Sequence, residues 1–410
     1  MNITFISISG NVSELDGRKL VLFPAGKKTK ILLKYGKVPK PAYIIDNSSL
    51  KIDCNILDIP VLPVRVLLEE SDEQTTIVVT SQNLLGELYK QLNDYKIIHK
   101  FSIVICYIKN AANSFYDDFT FIDRRKDNKK VLIVLAGYKH KLWDIFFKRI
   151  LAYINSDIDV CIMSAGKYDN ELADLCEQNS WSYLSTCANN ISLIQNIAIE
   201  LHPEAEFIYK LDEDIFITED YFNGLMRVFI ETENSTPYHI GIVAPLIPVN
   251  PHGIVRFLEG IGKTAEFESL FGKVYYDFST HFETNTDETL YLWEQTLPLD
   301  KTAKIFSEKA FSYYICPHRF SIGAILFRRK IWEEMGGFTV SNSVDLGSDE
   351  KDFAKFFLTE INFYTYIIAE NILVGHYSFG KIKDFEKLDD YYKANKSLFN
   401  ITTELEEAPK

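Results

Sequence analysis

The stretch VLIVLAGYKHKLWDIFFKRILAYINSDIDVCIMSAG, residues 131–166, decides the fold. An unbroken apolar run ends at Ala136-Gly137, a helical segment KLWDIFFKRILAYI follows, and a second buried run closes with DVCIMSAG. Strand, helix and strand in that order read as a parallel βαβ unit. The alternation continues through the helix NELADLCEQN, the short strand WSYLST, the helix SLIQNIAIEL and the strand EFIYKL. In the last of those helices Ile194, Ile197, Ala198 and Leu201 fall at i, i+3, i+4 and i+7, one apolar face for packing on a sheet. Residues from Val131 onward therefore read as a doubly wound nucleotide-binding half.

Upstream, residues 19–108 alternate strand and helix signals of their own: KLVLF, GKKTKILLKYG, AYIID, TTIVVTS, NLLGELYKQL and FSIVICYI. They imply a second, smaller parallel sheet. The polar stretch DFTFIDRRKDNKK separates the two patterns and places a boundary at about Asp127. A chain of 410 residues exceeds what one core serves, so the expected division is 1–127, 128–380 and a charged helical tail, 381–410. Phe385, Leu388 and Tyr392 share one side of that tail. Docking on the domain is its expected role, with a peripheral membrane contact as the alternative.

Composition narrows the class. A chain 47% hydrophobic and 25% charged folds in water, and a formal net charge of −13 argues against a nucleic-acid surface. The start lacks a basic leader, and nowhere does the sequence reach the roughly 20 apolar residues of a membrane helix, so a cytoplasmic protein is expected. Cys54, Cys106, Cys161, Cys176, Cys187 and Cys316 form no C-x-x-C pair and read as reduced, mostly buried thiols.

FIYKLDEDIFITEDY, residues 207–221, sets three acids against the end of a strand. An Asp-x-Asp alone says little, and the chain carries a second one at Asp157 and Asp159. Those two precede their strand, whereas Asp212 and Asp214 follow theirs, at the edge where open α/β sheets bind ligands. One reading is a solvated turn, with Thr218 capping the next helix and Glu219 and Asp220 in its first turn. The other is a cation site that relieves the repulsion among Asp212, Glu213 and Asp214.

Further on, RFSIGAILFRRKIWEEMGGF is followed by SDEKDFAKFF and then ILVGHYSFG. Over about residues 130–380 this order resembles the GT-A nucleotide-sugar glycosyltransferases, most closely inverting enzymes of the family 2 type. The matching parts are Asp212 and Asp214, Gly336-Gly337-Phe338, Asp349-Glu350-Lys351-Asp352, and His376. The resemblance implies a doubly wound, mixed central sheet and a Mn²⁺ or Mg²⁺ held by Asp212, Asp214 and His376. Asp214 would be the direct ligand, and Asp212 would also face the donor's ribose. The chemistry suits these residue types, because a divalent cation offsets charge on an expelled diphosphate and hard oxygens suit that cation.

An inverting transfer also needs a carboxylate to take the acceptor's proton, a role the resemblance gives to Glu350 or Asp349. The order Asp-Glu stands where the family has Glu-Asp, and alignment of Asp352-Phe353 makes Glu350 the positional equivalent. Ser348 also fits a helix cap with those acids in its first turn. Donor contacts are expected from Ala136, Gly137, Tyr138, Ser164, Asn196 and Asp212, with Asp169 standing late for a base-reading acid. Arg319, Arg328 and Arg329 are candidates for phosphate, surface placement being expected for at least two; Trp332 and Phe338 are candidates for the sugar floor or the core. The implied donor is a nucleotide sugar, a UDP-sugar before others, and the implied acceptor a saccharide, free or lipid-linked. A sugar-1-phosphate nucleotidyltransferase is the main alternative, but AGYKHKLWD offers no Gly-rich, basic loop after the first strand. A saccharide-binding scaffold is the other.

The first domain resembles the small Rossmann-like domains attached to bacterial polysaccharide-biosynthesis enzymes, through AYIIDN and the following DIPV. That implies capsule, lipopolysaccharide or exopolysaccharide assembly. Asp46 lies where such folds place a ribose-binding acid, but one of the three fingerprint glycines is present, which argues against a tight dinucleotide site.

Overall fold

A computed structural model describes residues 3–7, 15, 17–34, 38–70, 75–81, 84–107, 119–250, 252–276, 285–317, 322–340, 348–359, 364–377 and 385–402. Two compact units emerge, 1–118 with 330–345, and 119–329 with 346–410.

The first unit is built on β1 (Ile3–Ser7), β2 (Leu20–Phe23), α1 (Lys27–Lys34), β3 (Tyr43–Asp46), β4 (Asn55–Ile56), β5 (Ile59–Pro63), β6 (Thr76–Val79), α2 (Leu85–Asp94) and β7 (Ser102–Tyr107). Its sheet has the order β1-β7-β6-β2-β3-β5-β4, parallel except for the β4–β5 hairpin. The strands LVLF, YIID and TIVV are buried at every position, because layers cover both faces of a parallel sheet. Asp46 ends β3, but its carboxylate accepts from Ala25 N at 2.8 Å and Ser48 N at 2.8 Å, and Lys51 pairs with it at 3.2 Å. It braces the loop after β2, a local use of the acid that the ribose expectation did not foresee.

The second unit is a mixed α/β layer structure. Its elements run β8 (Phe119–Ile122), β9 (Lys130–Leu135), α3 (Trp143–Tyr153), β10 (Ile158–Ala165), α4 (Asn170–Gln178), β11 (Ser182–Thr186), α5 (Ile191–Leu201), β12 (Phe207–Asp212), β13 (Ile215–Phe216), α6 (Tyr221–Ser235) and β14 (His239–Leu246). Then come α7 (Ile254–Ile261), α8 (Thr264–Phe271), α9 (Thr286–Thr296), α10 (Leu299–Ser307), β15 (Tyr313–Cys316) and β16 (Ala324–Arg328); the chain passes through α11 (Arg329–Glu334), which from Lys330 on belongs to the first unit, and resumes with α12 (Ser348–Thr359), β17 (Tyr364–Leu373), β18 (Gly375–His376) and α13 (Phe385–Phe399). The sheet order is β15-β17-β14-β16-β12-β9-β10-β11-β8. Strands β9, β10, β11 and β12 are mutually parallel, as the opening βαβ pattern predicts, while β16 runs antiparallel between β12 and β14. A separate two-stranded ribbon pairs Ile215 with His376 and Phe216 with Gly375.

Helix α13 docks where the sequence placed it. Leu388, Tyr392 and Phe399 are buried, and Arg149 of α3, 1% exposed, donates to the carbonyls of Phe399 and Asn400 and to that of Ile217. Asp300 of α10 completes this anchor at 2.7 Å from the guanidinium and accepts from Thr402 N at 2.9 Å. Among the described residues no helix is long and apolar enough to cross a membrane. Of the thiols, Cys161, Cys176 and Cys316 are buried but Cys54 and Cys187 are exposed, so burial is less general than their apolar neighbours suggested.

Candidate donor and metal site

Strands β9, β10 and β12 end together, and the loops leaving them form the site. Asp212 is the last residue of β12, and Glu213 and Asp214 make the turn into β13. The three acids are divided among different tasks.

Glu213 is buried and faces the loop after β9. Its carboxylate accepts from Gly137 N at 3.0 Å, Tyr138 N at 2.9 Å and Trp143 Nε1 at 2.6 Å. Gly137 has φ +134°, a conformation side chains rarely adopt, so this glycine and the glutamate together set the path of the loop. Three donors on one buried carboxylate are charge-assisted bonds. Glu213→Gln turns an amide NH₂ toward N–H donors and should cost about 2–3 kcal/mol in urea-induced unfolding; a loss under about 0.5 kcal/mol would show that the loop holds its own shape.

Asp214 meets two basic side chains. Its Oδ2 accepts a hydrogen bond from Lys139 Nζ and lies 3.6 Å from His376 Nε2. Burial works against its charge, but His376 and Lys139 outweigh it and hold the carboxyl well below the usual range. His376 arrives through the β13–β18 ribbon, and its Nδ1 sits 3.2 Å from the Val249 carbonyl. That contact orients the ring, with Nδ1–H donating to the carbonyl and Nε2 as the nitrogen that faces Asp214. The Trp293 indole donates to the His376 carbonyl at 3.1 Å and fixes the strand from the other side.

Asp212 faces another way. Side chains alternate along a strand, so Lys210 and Asp212 share a face of β12, and Lys210 Nζ lies 2.7 Å from Asp212 Oδ1. Lys210 is 3% exposed; burial opposes its charge, but Asp212 and Asp349 outweigh that and raise its pKa. Burial of Oδ1 pushes Asp212 up to about 6; Lys210 opposes the shift, and Asp214 and Asp349 add to it. Gly323 leaves Asp212 room, since a Cβ there would come within 3.3 Å of Oδ2.

Asp349, at the start of α12, joins this group from a distant part of the chain. It is buried and accepts from Gln195 Nε2 of α5 at 2.8 Å, while its other oxygen takes Glu350 N at 3.0 Å. Glu350 is the more exposed of the two acids. Gln195 therefore holds the acidic helix in place.

The other expected residues have these surroundings. Ala136 is buried, and its N–H donates to the Met163 carbonyl at 2.9 Å. Tyr138 is exposed, and its hydroxyl donates to the Ala165 carbonyl at 2.6 Å. Ser164 Oγ donates to the Lys167 carbonyl at 2.8 Å and bonds Tyr183 Oη at 2.6 Å. Asp169 caps α4 and Asn190 caps α5, while Asn196 is fully buried in α5. Arg328 pairs with Glu233 at 2.6 Å, and Arg329 binds the carbonyls of Ala205, Ile199 and His202 at the end of α5. Arg319 lies outside the described residues. Trp332 and Phe338 are buried, and Gly336 and Gly337 form a left-handed cap to α11. Thr218 does not cap α6, which begins at Tyr221; its hydroxyl donates to the Leu373 carbonyl at 2.7 Å. At the opposite end of the sheet Asp159 accepts from Lys126 N, Asn128 N and Asn128 Nδ2, a brace that explains the second Asp-x-Asp.

Lys139, Lys210 and Gln195 are the site residues that motif reading passed over. Lys210 had a signal, an ionisable residue in a buried strand two places before Asp212. Lys139 had only its position after the first strand.

No protein-family model and no curated protein matches the chain. Among solved structures it is similar to the mannosyltransferase PcManGT from Pyrobaculum calidifontis in complex with GDP-Man and Mn²⁺. The identity is 12%, over 68% of this chain and 67% of that one, with a TM-score of 0.36. A likeness of that size assigns no activity, and the chemistry must be read from the side chains.

Proposed function

We propose that the second unit is a metal-dependent, inverting GT-A glycosyltransferase. It moves a sugar from a nucleotide-diphosphate donor, a UDP-sugar in the first instance, to a saccharide or lipid-linked saccharide acceptor in bacterial surface-polysaccharide assembly. One observation carries the reading: at the end of β12, Asp214 Oδ2 faces His376 Nε2 at 3.6 Å, with the imidazole oriented by Val249.

Among the described residues no group of three or more His, Cys, Asp or Glu side chains is arranged to hold a metal ion. A carboxylate and an imidazole still fit a small divalent cation whose remaining positions are filled by substrate phosphates and water, and the nitrogen ligand favours Mn²⁺ over Mg²⁺. Asp214 and His376 would hold it, and it would supply Lewis-acid stabilisation of the departing diphosphate. Asp212, turned to Lys210, then suits the ribose side of the donor. Glu350 would take the acceptor's proton, while Asp349, tied to Gln195, positions the helix that carries it.

A melting-temperature screen of the full chain with UDP- and GDP-sugars, with and without Mn²⁺, tests this. A donor at 100 times its Kd stabilises by about 2.7 kcal/mol, which for a unit of this size raises Tm by about 5–10 °C. The rise should need both cation and nucleotide. No rise with any donor would sink the reading.

A further inference from the structure

Lys139 holds the carboxylate oxygen that the proposed cation would need. Its ammonium donates to Asp214 Oδ2, the oxygen that also faces His376 Nε2. The Asp214 side chain is 8% exposed, whereas that of Lys139 is 36% exposed. Backbone and side chain of the lysine differ in freedom. Its main chain follows Gly137 and Tyr138, whose amides are fixed by Glu213, so the loop cannot follow the side chain outward. The flexible, partly exposed stem can swing toward solvent.

We propose that Lys139 is an exchangeable stand-in for the divalent cation: it neutralises Asp214 in the free protein and transfers to the donor's diphosphate when cation and donor bind together. This rests on the reading of Asp214 and His376 given above. A divalent cation on Oδ2 would stand against the full charge of the ammonium, so a cation alone must displace Lys139 into water, which opposes its binding. A nucleoside diphosphate reverses that opposition, because its phosphates offer the displaced ammonium a new partner. Cation and nucleotide should therefore each raise the affinity for the other, and Lys139 should carry much of that coupling.

Calorimetric titration of Mn²⁺ into the full chain, alone and with saturating UDP or GDP, tests the exchange in wild type, Lys139→Met and Lys139→Arg. The expected result is that Lys139→Met binds Mn²⁺ alone on the order of tenfold more tightly, while the gain from nucleotide shrinks on the order of tenfold. Lys139→Arg, which keeps the charge, should stay within about threefold of wild type on both counts. Equal Mn²⁺ affinity and equal nucleotide gain in wild type and Lys139→Met would overturn the stand-in role. If wild type binds no Mn²⁺ even with nucleotide, the metal reading itself fails, a result distinct from the first.

Discussion

Asp214→Asn should lower sugar transfer about a thousandfold while the protein remains folded. The amide keeps the volume and can still accept from Lys139, but it loses the charge that a divalent cation and the imidazole of His376 both require. Metal stabilisation of a leaving diphosphate amounts to several kcal/mol, and about 4 kcal/mol corresponds to a factor near 10³ in rate. The neighbouring substitutions separate the roles. His376→Ala should raise the Mn²⁺ requirement more than it lowers the saturated rate, whereas Asp212→Asn should act mainly through donor KM. Initial rates across a Mn²⁺ series, with the donor found in the melting screen, would show this; a folded Asp214→Asn protein that keeps its rate excludes the aspartate from cation binding.

The largest effect on stability is expected at Arg149. Its side chain is 1% exposed and holds the carbonyls of Ile217, Phe399 and Asn400 together with the Asp300 carboxylate. Arg149→Met keeps most of the volume but leaves three carbonyls and the partly exposed Asp300 without their guanidinium partner. Breaking a buried pair from one side costs about 3–5 kcal/mol, which for a unit of this size lowers Tm by roughly 6–20 °C. Asp300 is partly exposed and Asp300→Asn keeps an acceptor, so that variant should lose less than half as much. A double-mutant cycle with Arg149→Met would give the coupling between them. A loss under about 1 kcal/mol for Arg149→Met would mean that the tail is held by its apolar face alone.

Much of the fold was legible because buried parallel strands have a plain signature. VLIVL, DVCIMSA and FIYKL are mainly apolar runs of strand length, and they became β9, β10 and β12 in one parallel set. Strand position also separated the two Asp-x-Asp pairs, and the sheet puts them at opposite ends. The acids themselves were less legible. Periodicity marks Asp212 and Asp214 as lying on one side of an extended chain, but the turn at Glu213 sends them to different partners, Lys210 and Lys139. The task of Glu213 was not legible, because nothing local announces that a carboxylate will meet the amides of Gly137 and Tyr138. Gln195 and Asp349 meet only after α5 and α12 have packed, a tertiary event with no local pattern. Thr218 failed as a cap for a related reason: the carbonyl of Leu373, supplied by β17, took its hydroxyl instead.

The ribbon that joins Ile215 to His376 also has a temporal side. Closing a contact across so much intervening chain costs loop entropy that local helices and the βαβ core never meet. The acidic turn can form as soon as β9 and β12 have paired, with Lys139 and Lys210 already neutralising it. The imidazole comes afterwards with β18, followed closely by the helix that Arg149 anchors. A growing chain thus carries its carboxylates beside its own lysines from Asp214 until His376 emerges, and the imidazole joins them only as the fold is completed.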